Sequence, residues 1–131
     1  MGMKPAKSCV DIGIIAKDIK KSLAFYVDLL GLKKVEEVPL WFGLMHRLSF
    51  GDSFVKVIDP KKVPGGGKVG LDQELGFRYL TFQIGNIDEV CKECENAGVP
   101  FEIPLKEIRP GARIAMVRDP DGNVVEFLQR G

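Results

Sequence analysis

One pattern occurs twice along this chain, and it restricts the fold more than anything else in the sequence. Residues 8–16 alternate in polarity, with Val10, Ile12, Ile14 and Ala16 on one parity, as a half-buried strand does. Asp18 then stands where a helix N-cap is expected. Leu23, Tyr26, Val27 and Leu30 follow at helical spacing, and Gly31 is a natural stop because glycine takes positive φ at no steric cost. Strand-like runs occupy 32–38, 43–50 and 54–59, the last two joined by the turn pair Gly51-Asp52. After residues 60–76, which contain Pro64-Gly65-Gly66-Gly67, the order returns. A strand is expected at 77–84, and a helix capped by Asn86 or Asp88 and ended by Gly98. Strands then follow at 101–106, 112–118 and 123–129. A shift of 70 positions lays 52–58 on 122–128 with apolar and polar residues in agreement. The expected fold class is α+β: two βαβββ units, at about 8–59 and 77–129, within a single domain spanning 1–131.

Several function classes fall away on composition. The 19 basic and 18 acidic side chains nearly cancel, so a phosphate-neutralising nucleic-acid binder is not expected. No stretch approaches the roughly 20 apolar residues of a membrane span. The start of the chain shows no secretory h-region, and the expected location is cytoplasmic. Residues 1–68 hold 12 basic and 7 acidic side chains, whereas 69–131 hold 7 and 11, so the balance is a cancellation between two unlike halves. Cys9, Cys91 and Cys94 make no disulfide framework. Cys91 and Cys94 sit on the apolar face of a helix-like segment and read as buried structural thiols rather than a redox or metal pair. The glycine-rich connection does not complete a phosphate loop and reads as a linker or a flap. His46 is the sole histidine, which excludes any single-chain site built on two or three imidazoles.

The segments Asp11-Ile12-Gly13-Ile14-Ile15-Ala16-Lys17-Asp18, Ser22-Leu23-Ala24-Phe25-Tyr26 and Leu30-Gly31-Leu32 resemble the opening of the vicinal oxygen chelate superfamily. That superfamily comprises glyoxalases, bleomycin resistance proteins and extradiol dioxygenases. Asp119-Pro120-Asp121-Gly122-Asn123-Val124-Val125-Glu126-Phe127 resembles its closing signature. The resemblance implies that the two units pair, that their curved mixed sheets form a cleft with the helices outside, and that the protein is a homodimer holding a small-molecule ligand. In metal-dependent members four strand positions hold one divalent ion, and carried onto this chain they are Asp11, Lys56, Tyr79 and Glu126. The usual occupants are histidines at the first and third and glutamate at the fourth. Lys56 is the strongest objection to a metal, since an ammonium has no lone pair and repels a cation. No metal cofactor is therefore expected; were Ni, Zn, Mn or Fe bound, Asp11 and Glu126 would be its ligands.

These considerations give the candidate residues. Glu126, Asp11 and Lys56 are the candidate catalytic groups, and Tyr79, Thr81, His46, Phe50 and Arg113 the candidate ligand-binding groups. A metal-free site is expected, with Lys56 between two carboxylates where a metal's charge would lie. Plainer roles stand beside these: a structural salt bridge for Glu126, a snorkelling ammonium for Lys56, and simple packing for Tyr79. His46 is expected as an exposed strand residue, Trp41, Phe42, Phe50 and Phe54 as core and dimer packing, and Arg109, Arg113 and Arg118 as surface residues. The primary expectation is a small-molecule binding protein with a degenerate or absent metal site. The alternative is a lyase or epimerase in which Glu126 or Asp11 moves a proton next to a carbonyl. A metal-dependent dioxygenase, which needs two histidines and a carboxylate, fits least.

Overall fold

The structure, a computed structural model, describes residues 2–131, which divide into two compact units, one up to Pro64 and the other Gly65–Gly131. The first unit contains β1 (Ile12–Ile15), α1 (Ile19–Leu23), β2 (Lys33–Leu40), β3 (Gly43–Phe50) and β4 (Ser53–Pro60). The second contains β5 (Tyr79–Gln83), α2 (Ile87–Asn96), β6 (Phe101–Arg109), β7 (Ala112–Arg118) and β8 (Val124–Arg130). Each unit is a four-stranded mixed sheet, ordered β1-β4-β3-β2 in the first and β5-β8-β7-β6 in the second. The first strand of each runs parallel to the last, and the other pairs are antiparallel. The α+β class and the doubled βαβββ order are those expected from the sequence.

Local chemistry explains most of the boundaries. The Asp18 carboxylate accepts from the Lys20 and Lys21 amides at 3.1 and 3.3 Å, so two of the otherwise orphaned first-turn donors are satisfied. From Ala24 to Leu29 the helix widens to π-type bonding, and it closes where Gly31 takes φ 84°. α2 is capped differently from expectation. Asn86 holds the N-cap position without a side-chain bond, and the Ile87 amide donates instead to the Gln129 side-chain carbonyl of β8 at 2.7 Å. Asp88 is diverted to Arg113. β1 is shorter than the alternation at 8–16 suggests, because its ladder to β4 begins at Ile12 opposite Val55. β6 runs on to Arg109 through three register irregularities.

Within each sheet one face carries the deepest burial. In the first unit Val55, Val57 and Leu48 are essentially inaccessible, and α1 packs on β4. In the second, Ala115, Val117, Val125 and Phe127 are buried, as are Ile87, Cys91 and Cys94 of α2, which packs on β7 and β8. Burying such residues contributes about 1.5–3 kcal/mol for each large side chain. Arg113 lies on this helix-covered face, where its guanidinium makes a two-point pair with Asp88 at 2.8 and 3.0 Å. The buried thiols also match expectation: burial pushes Cys91 up, and Cys94 to about 11.

Candidate functional site

Strand alternation places Asp11 and Lys56 in the first unit, and Tyr79, Thr81 and Glu126 in the second, on the opposite face of each sheet. In the first unit the register forms a transverse row of Gly13 on β1, Lys56 on β4, Arg47 on β3 and Glu36 on β2. Asp11 stands two residues before Gly13, so it shares this side. In the second unit Thr81 is opposite Glu126, and Tyr79 stands two residues before Thr81. Asp11 and Tyr79 are thus equivalent positions of the repeat, as are Lys56 and Glu126. Gly13 and Thr81 are equivalent too.

The Asp11 carboxylate is already engaged. Its Oδ1 accepts from the Lys7 ammonium at 2.8 Å and from the Phe54 amide at 2.7 Å. These two bonds, with Lys56 a weaker contributor, hold the carboxyl below the usual carboxylate range. Lys7 is the cation in contact, and its donation to the Asp52 carbonyl at 2.9 Å ties the N-terminal segment to the β3–β4 hairpin. The i, i+4 spacing from Lys7 to Asp11 was the sequence signal for it. Lys56 itself makes no ion pair within its unit among the described residues.

Next to this row Phe54 is flanked by two cations, the Lys7 Nζ at 4.5 Å and the Arg47 guanidinium at 5.1 Å from its ring centroid. Arg47 was not among the sequence candidates. It contacts Glu36 at 3.3 Å through one terminal nitrogen, while its Nε is buried with no hydrogen-bond partner.

In the second unit Thr81 Oγ1 donates to Glu126 Oε1 at 2.8 Å. The same face carries an apolar cluster of Ala112, Ile114, Met116, Val124 and Leu128. Leu71, from the glycine-rich connection, packs against that cluster. Arg78 holds the connection through its guanidinium, which donates to the Lys68 and Gly70 carbonyls at 3.3 Å. Tyr79 is half exposed at the start of β5.

Two sequence expectations, the exposure of His46 and the packing of Trp41, are revised here, and two further candidates, Phe50 and Arg113, lie on the other face of their sheets. His46 is 6% exposed rather than a surface residue, because its register opposite Val57 turns it onto the buried face of the first sheet. Its Nδ1 has no hydrogen-bond partner and lies 3.7 Å from Glu37. Burial, and secondarily Lys34, hold its pKa below the ordinary value, while Glu37 and Asp59 pull the other way. Phe50 shares that parity, opposite Ser53, and so turns away from Lys56. Arg113 is opposite Gln129, on the face away from Glu126. Trp41, expected to pack, is 86% exposed at the β2–β3 turn, with its ring edge-on to Phe42.

The residues at the four positions that the resemblance aligns with a metal's ligands, two in each unit, are a poor donor set for a divalent ion. They supply two carboxylates, an ammonium and a phenol, and the first carboxylate spends its bonded oxygen on Lys7 and Phe54. Among the described residues no three His, Cys, Asp or Glu side chains converge as a metal centre requires.

Comparison with known proteins agrees with this architecture. The chain is 28% identical to protein YwkD of Bacillus subtilis over 125 residues, covering 95% of this chain and 98% of that one. It is 26% identical to a lactoylglutathione lyase of Pseudomonas putida over 143 residues, covering 86% and 79%. Its fold superposes on the antibiotic binding protein TnmS3 of Streptomyces sp. CB03234 with a TM-score of 0.73 and 25% identity, covering 98% and 100%. Residues 9–127 match one family throughout, and the chain belongs to the Glyoxalase/Bleomycin resistance protein/Dioxygenase superfamily.

Proposed function

We propose that this chain binds a small molecule and does so without a metal ion. The observation that carries this reading is the fate of the family's metal positions. Lys56 occupies one of them, Tyr79 another, and Asp11 is already bonded to Lys7 and the Phe54 amide. A likeness to an antibiotic binding protein supports binding as the activity. The sheet face that carries Glu126 also carries five buried aliphatic and thioether side chains, an apolar setting that suits such a ligand. The resemblance further supports a homodimer, which light scattering on the purified chain would test.

A second reading, proton transfer next to a carbonyl, has one specific observation in its favour. Thr81 holds Glu126 by a hydrogen bond beside buried apolar side chains, as a positioned general base is held. The identity to a lactoylglutathione lyase points the same way. In that reaction Glu126 would accept the proton.

One assay separates the two. Turnover of the methylglyoxal–glutathione hemithioacetal is followed with and without added Ni²⁺ or Zn²⁺. The binding reading predicts no turnover in either condition. Turnover that needs added metal would overturn the metal-free proposal. Turnover without metal, abolished in Glu126→Gln, would replace binding by catalysis.

A further inference from the structure

Lys56 and Arg47 lie directly opposite each other on β4 and β3. Opposed side chains in an antiparallel pair hold their Cβ atoms about 4.5–5.5 Å apart, and like charges there are destabilising. The charges nearby offset the pair only in part. Asp11 is taken by Lys7, and Glu36 meets Arg47 by one contact at 3.3 Å while lying on the far side of it from Lys56. The Arg47 Nε is buried with no acceptor. On its other flank Lys56 is opposite Gly13, where a Cβ would meet nothing within 4 Å. A glycine inside a strand weakens it, and commonly marks a place where another molecule approaches the backbone closely. The row therefore holds two adjacent cations, one with an unused donor, beside an open notch.

The neighbouring rows set the rest of the chemistry. On one side, toward the hairpin, lies the Phe54 ring. On the other lies an apolar row of Ile15, Ile58 and Met45, of which Ile15 is accessible. An oxyanion suits the cations, and the guanidinium fork suits a planar carboxylate in particular. We propose that Lys56 and Arg47 bind the carboxylate of an organic acid whose apolar body lies over Phe54 and Ile15. This names the ligand class for the metal-free binding reading on which it rests.

The test uses the full chain, treated with EDTA and checked for metal content, and titrated calorimetrically with 2-naphthoate and with its neutral isostere 2-naphthamide. The carboxylate is expected to bind about tenfold or more tightly than the amide, as charge-assisted bonds to a fixed cation pair dictate. Lys56→Met and Arg47→Gln should each abolish that preference by bringing carboxylate binding down to the level of the amide. Unliganded Lys56→Met should also melt above the wild type, since it relieves the opposed charges. Equal binding of the two probes, no binding of either, or a preference that survives both variants would overturn the proposal. Stoichiometric metal in the untreated protein would instead overturn the metal-free reading, and the EDTA-treated titrations still read the cation pair by itself.

Discussion

Replacing Asp119 by alanine should destabilise the fold strongly without touching the face that carries Glu126. Asp119 is 5% exposed at the turn between β7 and β8. One carboxylate oxygen accepts from the Asp121 and Asn123 amides, both at 2.9 Å, and the other from the Asn123 side-chain amide at 2.8 Å. A hydrogen bond to a charged group contributes about 1.5–3 kcal/mol, but water reaches this turn and will replace part of what is lost. The net cost of Asp119→Ala should be about 2–4 kcal/mol, which in a chain of this size lowers Tm by on the order of 10 °C. Asp119→Asn retains one oxygen for the two backbone amides and should cost about 1 kcal/mol. Urea denaturation followed by far-UV circular dichroism measures both. An alanine variant within about 0.5 kcal/mol of the wild type would refute the argument that this signature aspartate organises the turn.

Three further outcomes follow from particular residues. Gly122→Ala should cost more than about 1 kcal/mol, because φ is 87° and the added Cβ would lie 2.5 Å from Val69 Cγ1; an unchanged urea midpoint would contradict this. His46 is held neutral by burial, so the unfolded chain takes up its proton first; stability is constant in this respect above about pH 6.5 and falls as pH drops from there through the lowered folded value. His46→Leu should flatten that slope, and an unaltered slope between pH 7.5 and 5 would assign it elsewhere. Of the three thiols, partly exposed Cys9 should react with a disulfide reagent in the native protein, and Cys91 and Cys94 only after denaturation, whereas three equally fast thiols would contradict their burial.

The sequence was most informative where a single physical rule governs the outcome. Alternation located β3, β4, β7 and β8 to within a residue or so, and the helix stops at Gly31 and Gly98 follow from backbone freedom that other residues lack. Strand parity likewise put Asp11 and Lys56 on one face of the first sheet, and Tyr79, Thr81 and Glu126 on one face of the second. Legibility ended where partners come from across the sheet. His46 seemed exposed because nothing local shows that β3 stands opposite Val57, and the cap of α2 came from Gln129, 42 residues later. Arg47 drew no notice as a lone strand arginine. Its meaning depends on Lys56 being opposite, which register alone decides. The closing signature, recognisable as sequence, proved to carry turn chemistry through Asp119 and Gly122. That is why it assigns a family without assigning a ligand.

The central claim is that the family's metal positions in this chain no longer hold a metal. The most direct test is elemental analysis after dialysis against equimolar Ni²⁺ and Zn²⁺, applied to the native chain and to a variant carrying Asp11→His, Lys56→Glu and Tyr79→His together. The account predicts far less than one ion per native chain and a gain of metal in the variant, because restoring lone pairs and removing the ammonium restores the donor set. One ion per native chain, lost on Asp11→Ala or Glu126→Ala, would contradict it.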